Sequence, residues 1–313
     1  MDKLNKIGLT ALAGVLASAS AQAAEMSVSG GASINFATDD KTEETGNKLT
    51  MGDSLTFSAS GDTDQGWTVA ASIEIDGGTY DDRSVTIDMG DSGKIFVQDS
   101  GAQGTGSDLV PSAYGSAGYS LASASTTGKH VMDGLDSGAG TINLGYTTSI
   151  SGFDVGIGYT PGGPTGAGGS ETSVSLKYAD LIDGLTLAVG LSDKNTASAN
   201  GTEELNLSAS YVVGGATLAY TDYSADDDTA SGTDYDSKHY GISFAMNDNL
   251  TISYGKSTSD KSTTSVDEEI TSWQASYTMG NMTVKGHISK ADNEQFTTAA
   301  EDEQKAIDVS WSF

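Results

Sequence analysis

The sequence has no cysteine, only three prolines, and a single arginine, Arg83. Without cysteine, the chain has no disulfide, no thiolate ligand for a metal and no cysteine nucleophile. Beyond the N-terminal segment it also lacks any long apolar run, whereas a membrane-spanning helix needs about 20 predominantly apolar residues. If this chain is integral to a membrane, it must therefore cross as a closed β-barrel, because only helices and closed barrels satisfy every backbone polar group in lipid.

Motifs that carry catalysis are missing as well. The histidines His130, His239 and His287 are far apart in the sequence, and no serine occupies a Gly-x-Ser-x-Gly nucleophile turn. The glycine-rich residues 162–169 do not have the Gly-x-Gly-x-x-Gly spacing of a phosphate-binding loop. The sequence therefore does not predict an enzyme.

Acidic residues dominate the charge, with 43 Asp and Glu against 15 Lys and Arg and a formal net charge of −28. Such a surface repels nucleic acid, which is bound mainly by Lys and Arg that neutralise phosphates. Asp226, Asp227, Asp228, Asp234 and Asp236 offer oxygen ligands, but not at the spacing of a calcium loop. We predict no cofactor and no dedicated metal site, while acidic loops of this kind suit diffuse binding of divalent cations.

The N-terminus has the pattern of a cleaved secretory signal. Lys3 and Lys6 precede an apolar stretch over residues 7–19, and Ala21-Gln22-Ala23 has the small-x-small pattern of a cleavage site. We expect residues 1–23 to be removed and residues 24–313 to form one domain.

The remainder alternates apolar and polar residues over about sixteen short segments. In the last of them Ile307, Val309, Trp311 and Phe313 share one face, while Asp308 and the serines between them share the other, because strand side chains alternate faces. Connections after even-numbered segments are short and those after odd-numbered segments are longer, and aromatic residues fall into two belts. The pattern predicts an all-β, 16-stranded antiparallel transmembrane β-barrel.

One segment, residues 101–140, interrupts the alternation after the fifth strand. Loops beyond about 15 residues in compact folds are usually functional or disordered, and Pro111, Tyr114, Tyr119 and Leu121 within this one favour a packed loop. Asp108, Asp133 and Asp136 outnumber Lys129 in it, and His130 follows. We expect this loop to enter the lumen and constrict it.

The inward positions of the predicted strands are acidic on balance. Alternation places the following residues inward: Glu74, Asp76, Asp88, Asp154, Asp308, Lys94, Lys177 and Lys285. Gly145, Gly156 and Gly158 also have inward positions, where the absence of side chains leaves room for a loop against the wall. The candidate pore residues are therefore these wall charges together with the charged residues of the long loop.

Alternation alone does not distinguish side chains that face lipid from side chains that face a core. A secreted β-sandwich or β-solenoid of structural or adhesive function is thus the alternative fold. A solenoid needs a fixed short repeat, which is absent here. A sandwich has no need of two aromatic belts or of alternating loop lengths.

The chain resembles a general porin of Gram-negative outer membranes, of the alphaproteobacterial kind. Three stretches carry the resemblance: Asp81-Asp82-Arg83-Ser84-Val85 with Lys94-Ile95-Phe96-Val97, Pro111-Ser112-Ala113-Tyr114-Gly115 in the long loop, and Val309-Ser310-Trp311-Ser312-Phe313. The resemblance implies a homotrimer of water-filled barrels, each narrowed by the loop after strand five. It also implies that the barrel-assembly machinery reads Phe313. The chain departs from the family in lacking an inward arginine cluster, since Arg83 has an outward position.

From the resemblance and the charge together, we expect passive diffusion of small hydrophilic solutes and ions, with a preference for cations. The expected surroundings are outer-membrane lipid and lipopolysaccharide. A substrate-specific channel and a surface adhesion protein remain as alternative functions.

Overall fold

A computed structural model describes residues 25–39, 49–99, 109, 142–162, 169–179, 181–196, 199–228 and 232–313. These residues form sixteen antiparallel strands in a closed barrel, each strand paired with its neighbours in the chain and β1 paired with β16. The predicted fold class is confirmed. The strands are β1 Glu25–Asp39, β2 Leu49–Asp62, β3 Thr68–Asp76, β4 Thr79–Asp88, β5 Lys94–Gln98, β6 Asn143–Ile150, β7 Phe153–Thr160, β8 Glu171–Tyr178, β9 Leu185–Thr196, β10 Ala199–Val213, β11 Ala216–Asp227, β12 Tyr235–Ala245, β13 Leu250–Lys261, β14 Glu268–Met279, β15 Met282–Asp292 and β16 Glu301–Ser312.

The period-two alternation separates two faces of this barrel. Apolar side chains such as Leu207, Ile252 and Trp273 point outward and are exposed. Inward positions carry small polar residues, for example Ser208, which lies opposite Thr221 on the next strand. Among the described residues, no helix is long and apolar enough to cross a membrane.

Aromatic side chains lie on the outward face at both ends of the strands. Phe153 and Tyr178 are 4.3 Å apart between ring centroids near the short turns. Towards the long-loop ends of β1 and β7, Phe36 and Tyr159 are outward and exposed. Tyr254 and Trp273, near the middle of β13 and β14, are 4.7 Å apart. Outward rings at both rims match the two belts expected from the sequence and are typical of strands that cross a bilayer.

The chain ends close the barrel. The Phe313 amide donates to the Gly30 carbonyl at 2.9 Å, and the Gly30 amide donates to the Phe313 carbonyl at 2.8 Å. Gly30 has no side chain, and a Cβ there would lie 2.7 Å from the Ser54 carbonyl oxygen and 2.9 Å from the Phe313 ring. Glycine is thus required where the last residue docks on the first strand.

We expect Gly30→Val to weaken this closure, because the added side chain must displace the Phe313 ring or the β2 backbone. The rearrangement should cost about 1–3 kcal/mol, as overpacking commonly does. Thermal unfolding of the folded protein, followed by loss of the β-sheet circular dichroism signal, measures the effect. Gly61→Val is the matched control on β2, since a Cβ there meets nothing within 4 Å. Equal melting temperatures for the two variants would contradict the assignment.

Two connections after odd-numbered strands are shorter than the sequence pattern predicted. β3 and β4 are joined by Gly77-Gly78 alone, and both glycines have positive φ angles, 53° and 80°. Such a pair is suited to the two-residue hairpin turn that fits the twist of the strands. β9 ends at Thr196 and β10 begins at Ala199. The prediction of a long connection after every odd-numbered strand is therefore wrong at these two places.

The barrel wall differs in height around its circumference. β5 has only five residues and β6, β7 and β8 have eight each, whereas β1 and β10 have fifteen. β4 also contains an irregularity: Ile73 pairs with Arg83 and Ile75 with Tyr80, so two residues of β4 face one residue of β3. This β-bulge lies beside the shortest part of the wall.

Candidate functional site

The inward face of the barrel carries three aspartate–lysine pairs across neighbouring strands. Asp88 lies opposite Lys94, Asp154 opposite Lys177, and Asp308 opposite Lys285. The Lys94 Nζ is 2.8 Å from the Asp88 carboxylate, and the Lys177 Nζ is 3.4 Å from that of Asp154. Each lysine of the predicted wall thus has a carboxylate directly across from it, so these six residues contribute little net charge.

Two further predicted wall acids have no lysine across from them. Glu74 pairs in register with Thr56, and Asp76 pairs with Ser54 and Thr79. Both lie on the inward face of β3, next to the bulge of β4. The negative charge of these two side chains is therefore not offset by a cross-strand lysine.

The register reveals inward acids that the sequence analysis did not assign. Glu171, Glu204, Glu268 and Asp302 all have inward positions near the long-loop ends of their strands. Lys194 and Lys261 are further inward lysines, and Lys194 lies directly across from Glu171. On the inward face of the described strands, the excess of acidic side chains over lysines is therefore larger than the excess that the sequence predicted. In the sequence, Glu204 and Glu268 continue the alternation of Leu205 and Trp273 towards the long-loop ends of β10 and β14.

Two of these acids accept hydrogen bonds from inward hydroxyls. The buried Tyr223 donates its hydroxyl proton to Glu204 Oε1 at 3.0 Å, and Ser192 donates to Glu171 Oε1 at 3.1 Å. Tyr223 is 1% exposed. Each of the two carboxylates is therefore held in place at the wall by a hydroxyl donor on the neighbouring strand.

Part of the inward wall is buried and not open to the lumen. Gly145, Gly156 and Gly158 are buried, as is Asn143 at the start of β6. Asn143 accepts a hydrogen bond from Thr160 at 2.6 Å, but its Nδ2 has no partner within the described residues. Inward burial is not confined to β6 and β7, because Gly190 on β9 and Gly255 on β13 are inward and buried as well.

A second buried stretch of the wall lies on β13, β14 and β15. Ser253 donates to Gln274, and Gln274 donates to Ser272. Ser289 also donates to Ser272, and its Oγ is 2.9 Å from the His287 Nδ1. All five side chains are at most 5% exposed. The network satisfies polar groups at the wall and holds His287 in a fixed orientation.

The charged residues expected in the long loop lie outside the described residues. These are Asp108, Lys129, His130, Asp133 and Asp136. Within residues 101–140 the structure describes only Leu109, whose side chain is half-buried. Their role at the constriction therefore stays a prediction, as do the pore roles of the wall residues.

Arg83 is on the outward face, as the alternation predicted. It pairs in register with Ile73, and its main-chain amide donates to Asp99 Oδ1 at 2.5 Å. Its Nε donates to the other oxygen of the same carboxylate. The chain thus holds its only arginine outside the barrel, where it cannot contribute to the wall of a channel.

The inward polar groups are distributed along the wall of the barrel. Among the residues that the structure describes, no group of three or more His, Asp or Glu is placed to hold a metal ion. The inward polar groups are bonded to one another along the wall instead of converging on one point. Low-dielectric walls lined by one sign of charge raise the local concentration of the opposite ion, so the geometry favours a charged aqueous passage.

Comparisons with known proteins point the same way. The family model described as Gram-negative porin matches residues 8–294. A porin structure refined at 1.8 Å has a TM-score of 0.65 at 17% identity, covering 92% of this chain and 100% of that one. A triple mutant of Rhodopseudomonas blastica porin has the same TM-score and coverage at 15% identity. OmpT of Vibrio cholerae with loop L8 deleted has a TM-score of 0.67 at 14% identity, covering 93% and 99%. No curated protein matches the sequence.

Proposed function

Because the chain belongs to the Gram-negative porin family and forms a β-barrel of the outer membrane, we propose that it passes small hydrophilic solutes and ions passively, with a preference for cations. The observation that carries the proposal is the closed sixteen-stranded barrel with polar residues inward and apolar residues outward. A barrel of this size leaves an aqueous channel.

Planar-bilayer recording of the purified protein tests this directly. A porin should insert in discrete steps and give a constant conductance per step, whereas a surface adhesion protein should give none. A substrate-specific channel would show conductance that one solute class blocks at low concentration. Steps that are insensitive to sugars and amino acids would support general diffusion.

The cation preference is supported by the inward charges. Glu74 and Asp76 have no lysine across from them, and Glu204 is held by the Tyr223 hydroxyl. Selectivity in such pores follows the charge of the rings that line them. The acids of the long loop, Asp108, Asp133 and Asp136, would add to the same field.

We also propose that residues 101–140 lie in the lumen as the constriction. The inward positions of Gly145, Gly156 and Gly158 support this, because the absence of side chains there leaves room for a loop against the wall. Their strands, β6 and β7, immediately follow the long segment in the chain. The segment is long enough to reach them.

We further propose a homotrimer that resists detergent. Before heating, the folded protein should migrate in electrophoresis as a species about three times the mass of the boiled chain. Its far-ultraviolet circular dichroism should be that of β-sheet, because barrel closure pairs every strand. Heating should convert the slow band to the monomer in one step. A folded species that migrates as a monomer before heating would disprove the trimer and leave the channel proposal standing.

The remaining proposals concern the ends and the surroundings of the chain. Cleavage after Ala23 would produce the mature protein, whose intact mass reports the site. The barrel-assembly machinery would read Phe313, whose side chain is 69% exposed on the outer surface. The outward face would lie in outer-membrane lipid and lipopolysaccharide, with divalent cations bound diffusely between acidic loops and lipid phosphates.

A further inference from the structure

Two charged side chains interrupt an otherwise apolar part of the outward face. Asp53 is exposed on β2 between Met51 and Leu55, which are also outward and exposed. Arg83 is on β4, and 62% of its side chain is exposed. Charged side chains that face lipid are destabilising in barrels. Their presence indicates that something other than lipid covers this part of the wall.

The strands beside Arg83 are too short to match a bilayer on their own. The five residues of β5 extend about 17 Å along the strand, and less along the membrane normal because strands tilt by about 35–45°. The apolar band of an outer-membrane barrel is about 25 Å tall. Another protein surface against β4 and β5 would make up the difference.

The surroundings of Arg83 suit a contact with another protein surface. Asp99, only 8% exposed, accepts hydrogen bonds from both the main chain and the Nε of Arg83, which fixes the direction of the side chain. An arginine has five donors in a planar fork, and within the described residues only Nε is used. Beside it is an apolar recess of about 310 Å³ whose lining includes Ile73, Val85 and Val97. A carboxylate flanked by apolar side chains would complement this surface.

Asp53 with its neighbours Met51 and Leu55 is such a surface, and its position fits a ring of three. In a ring of three barrels, the directions from one barrel to its two neighbours differ by about 60°, or roughly 2.7 of sixteen strands. β2 and β4 are two strands apart. A dimer would use one self-complementary patch, and a ring of four would separate the patches by about four strands.

We infer that Arg83 of each protomer pairs with Asp53 of the neighbouring copy, with the apolar side chains around Asp53 packed into the recess beside Arg83. The inference rests on the proposed trimer and adds the contact that holds it together. The interface is heterologous, and the threefold ring closes it. The contact also accounts for both outward charges at once.

Cross-linking between introduced cysteines tests the pairing, and the chain has no native cysteine to interfere. Within one chain, positions 53 and 83 are two strands and about four residues apart, or about 16 Å. Protein carrying Asp53→Cys and Arg83→Cys, treated with a short thiol-to-thiol cross-linker, should give covalent dimers and trimers that survive boiling. A cross-linker is needed because an arginine–aspartate pair holds its Cα atoms farther apart than a disulfide allows.

A matched control is Ile242→Cys with Tyr277→Cys, two outward positions with the same strand and residue offsets on β12 and β14. It should give no covalent oligomer. Asp53→Cys alone should also give none, and cross-linking of that variant would mean a self-complementary patch and overturn the pairing. Protein that is trimeric before heating yet not cross-linked through positions 53 and 83 would overturn the pairing alone. Protein that is monomeric throughout would overturn the trimer itself.

Charge reversal gives an independent readout. Arg83→Glu and Asp53→Arg should each lower the temperature at which the trimer dissociates, and the two together should restore much of the loss. Arg83→Glu also removes the partner of Asp99. A lower dissociation temperature of this single variant therefore has two causes, the lost contact between protomers and the lost bond to Asp99 within one chain. Restoration does separate them, because Asp53→Arg is too far from Asp99 within one chain to replace that bond. Equal dissociation temperatures for the double variant and Arg83→Glu would count against the pairing.

Discussion

Deleting residues 107–136 should raise the single-channel conductance by about twofold, because a barrel of sixteen strands is wide enough to conduct freely unless something fills it. The inward glycines Gly145, Gly156 and Gly158 leave room for a loop against this part of the wall. Removal of the loop should therefore widen the narrowest section. Conductance steps in a planar bilayer measure the change.

A second variant separates constriction from general damage to the barrel. Deletion of residues 263–265, in the connection between β13 and β14, removes residues far from the long loop along the chain and should leave the step size unchanged. Both variants should retain the β-sheet circular dichroism of the parent protein. Unchanged or smaller steps in a correctly folded 107–136 deletion would show that the constriction lies elsewhere.

In a tenfold KCl gradient the protein should give a reversal potential of the sign that indicates cation preference, with a permeability ratio of about five at low salt. The expectation follows from the inward acids that have no lysine across from them, Glu74 and Asp76, together with Asp108, Asp133 and Asp136 of the long loop. Screening shortens from about 10 Å at 0.1 M to about 3 Å at 1 M, so the preference should weaken as salt rises. Anion preference at low salt would defeat the proposal.

The two members of one inward ion pair allow substitutions that should change the ion selectivity in opposite directions. Asp154→Asn removes a negative charge and leaves Lys177 without its carboxylate partner, so it should lower the cation preference. Lys177→Gln removes the positive member of the same pair and should raise it. The two variants change the same place in opposite directions, so a general disturbance of the barrel cannot imitate the pattern. Lys256→Gln, on the outward face, should leave the reversal potential unchanged.

The loop contribution is measured separately. Replacing Asp108, Asp133 and Asp136 together by asparagine should move the reversal potential towards zero if the constriction is where ions are selected. If the wall dominates, this triple variant should behave like the parent protein and Glu74→Gln should produce the larger shift. Each result assigns selection to one of the two surfaces.

Much of this protein follows from its sequence, because a strand that has lipid on one side and water on the other must alternate. The alternation of Ile307, Val309 and Trp311 with Asp308 and Ser310 is enough to orient the last strand. The same rule correctly places Lys285 inward and Arg83 outward. A slip of one residue would turn every side chain to the opposite face, so the pattern determines the face on which each side chain lies. The closed barrel was accessible for this reason, whereas the pairing of the strands decided that there are sixteen and not fourteen or eighteen.

The tertiary structure decided what a single strand cannot specify. Only the pairing of neighbouring strands shows that Asp88, Asp154 and Asp308 each lie across from a lysine. Only the backbone angles of Gly77 and Gly78 show that β3 and β4 are joined by a two-residue turn, since a run of polar residues reads equally well as a long loop. Local alternation fixes the face of each side chain, whereas its cross-strand partner depends on register between segments that are distant in the chain. The sequence by itself therefore determined which residues face the channel, and the closed sheet decided which of their charges remain without an opposing partner.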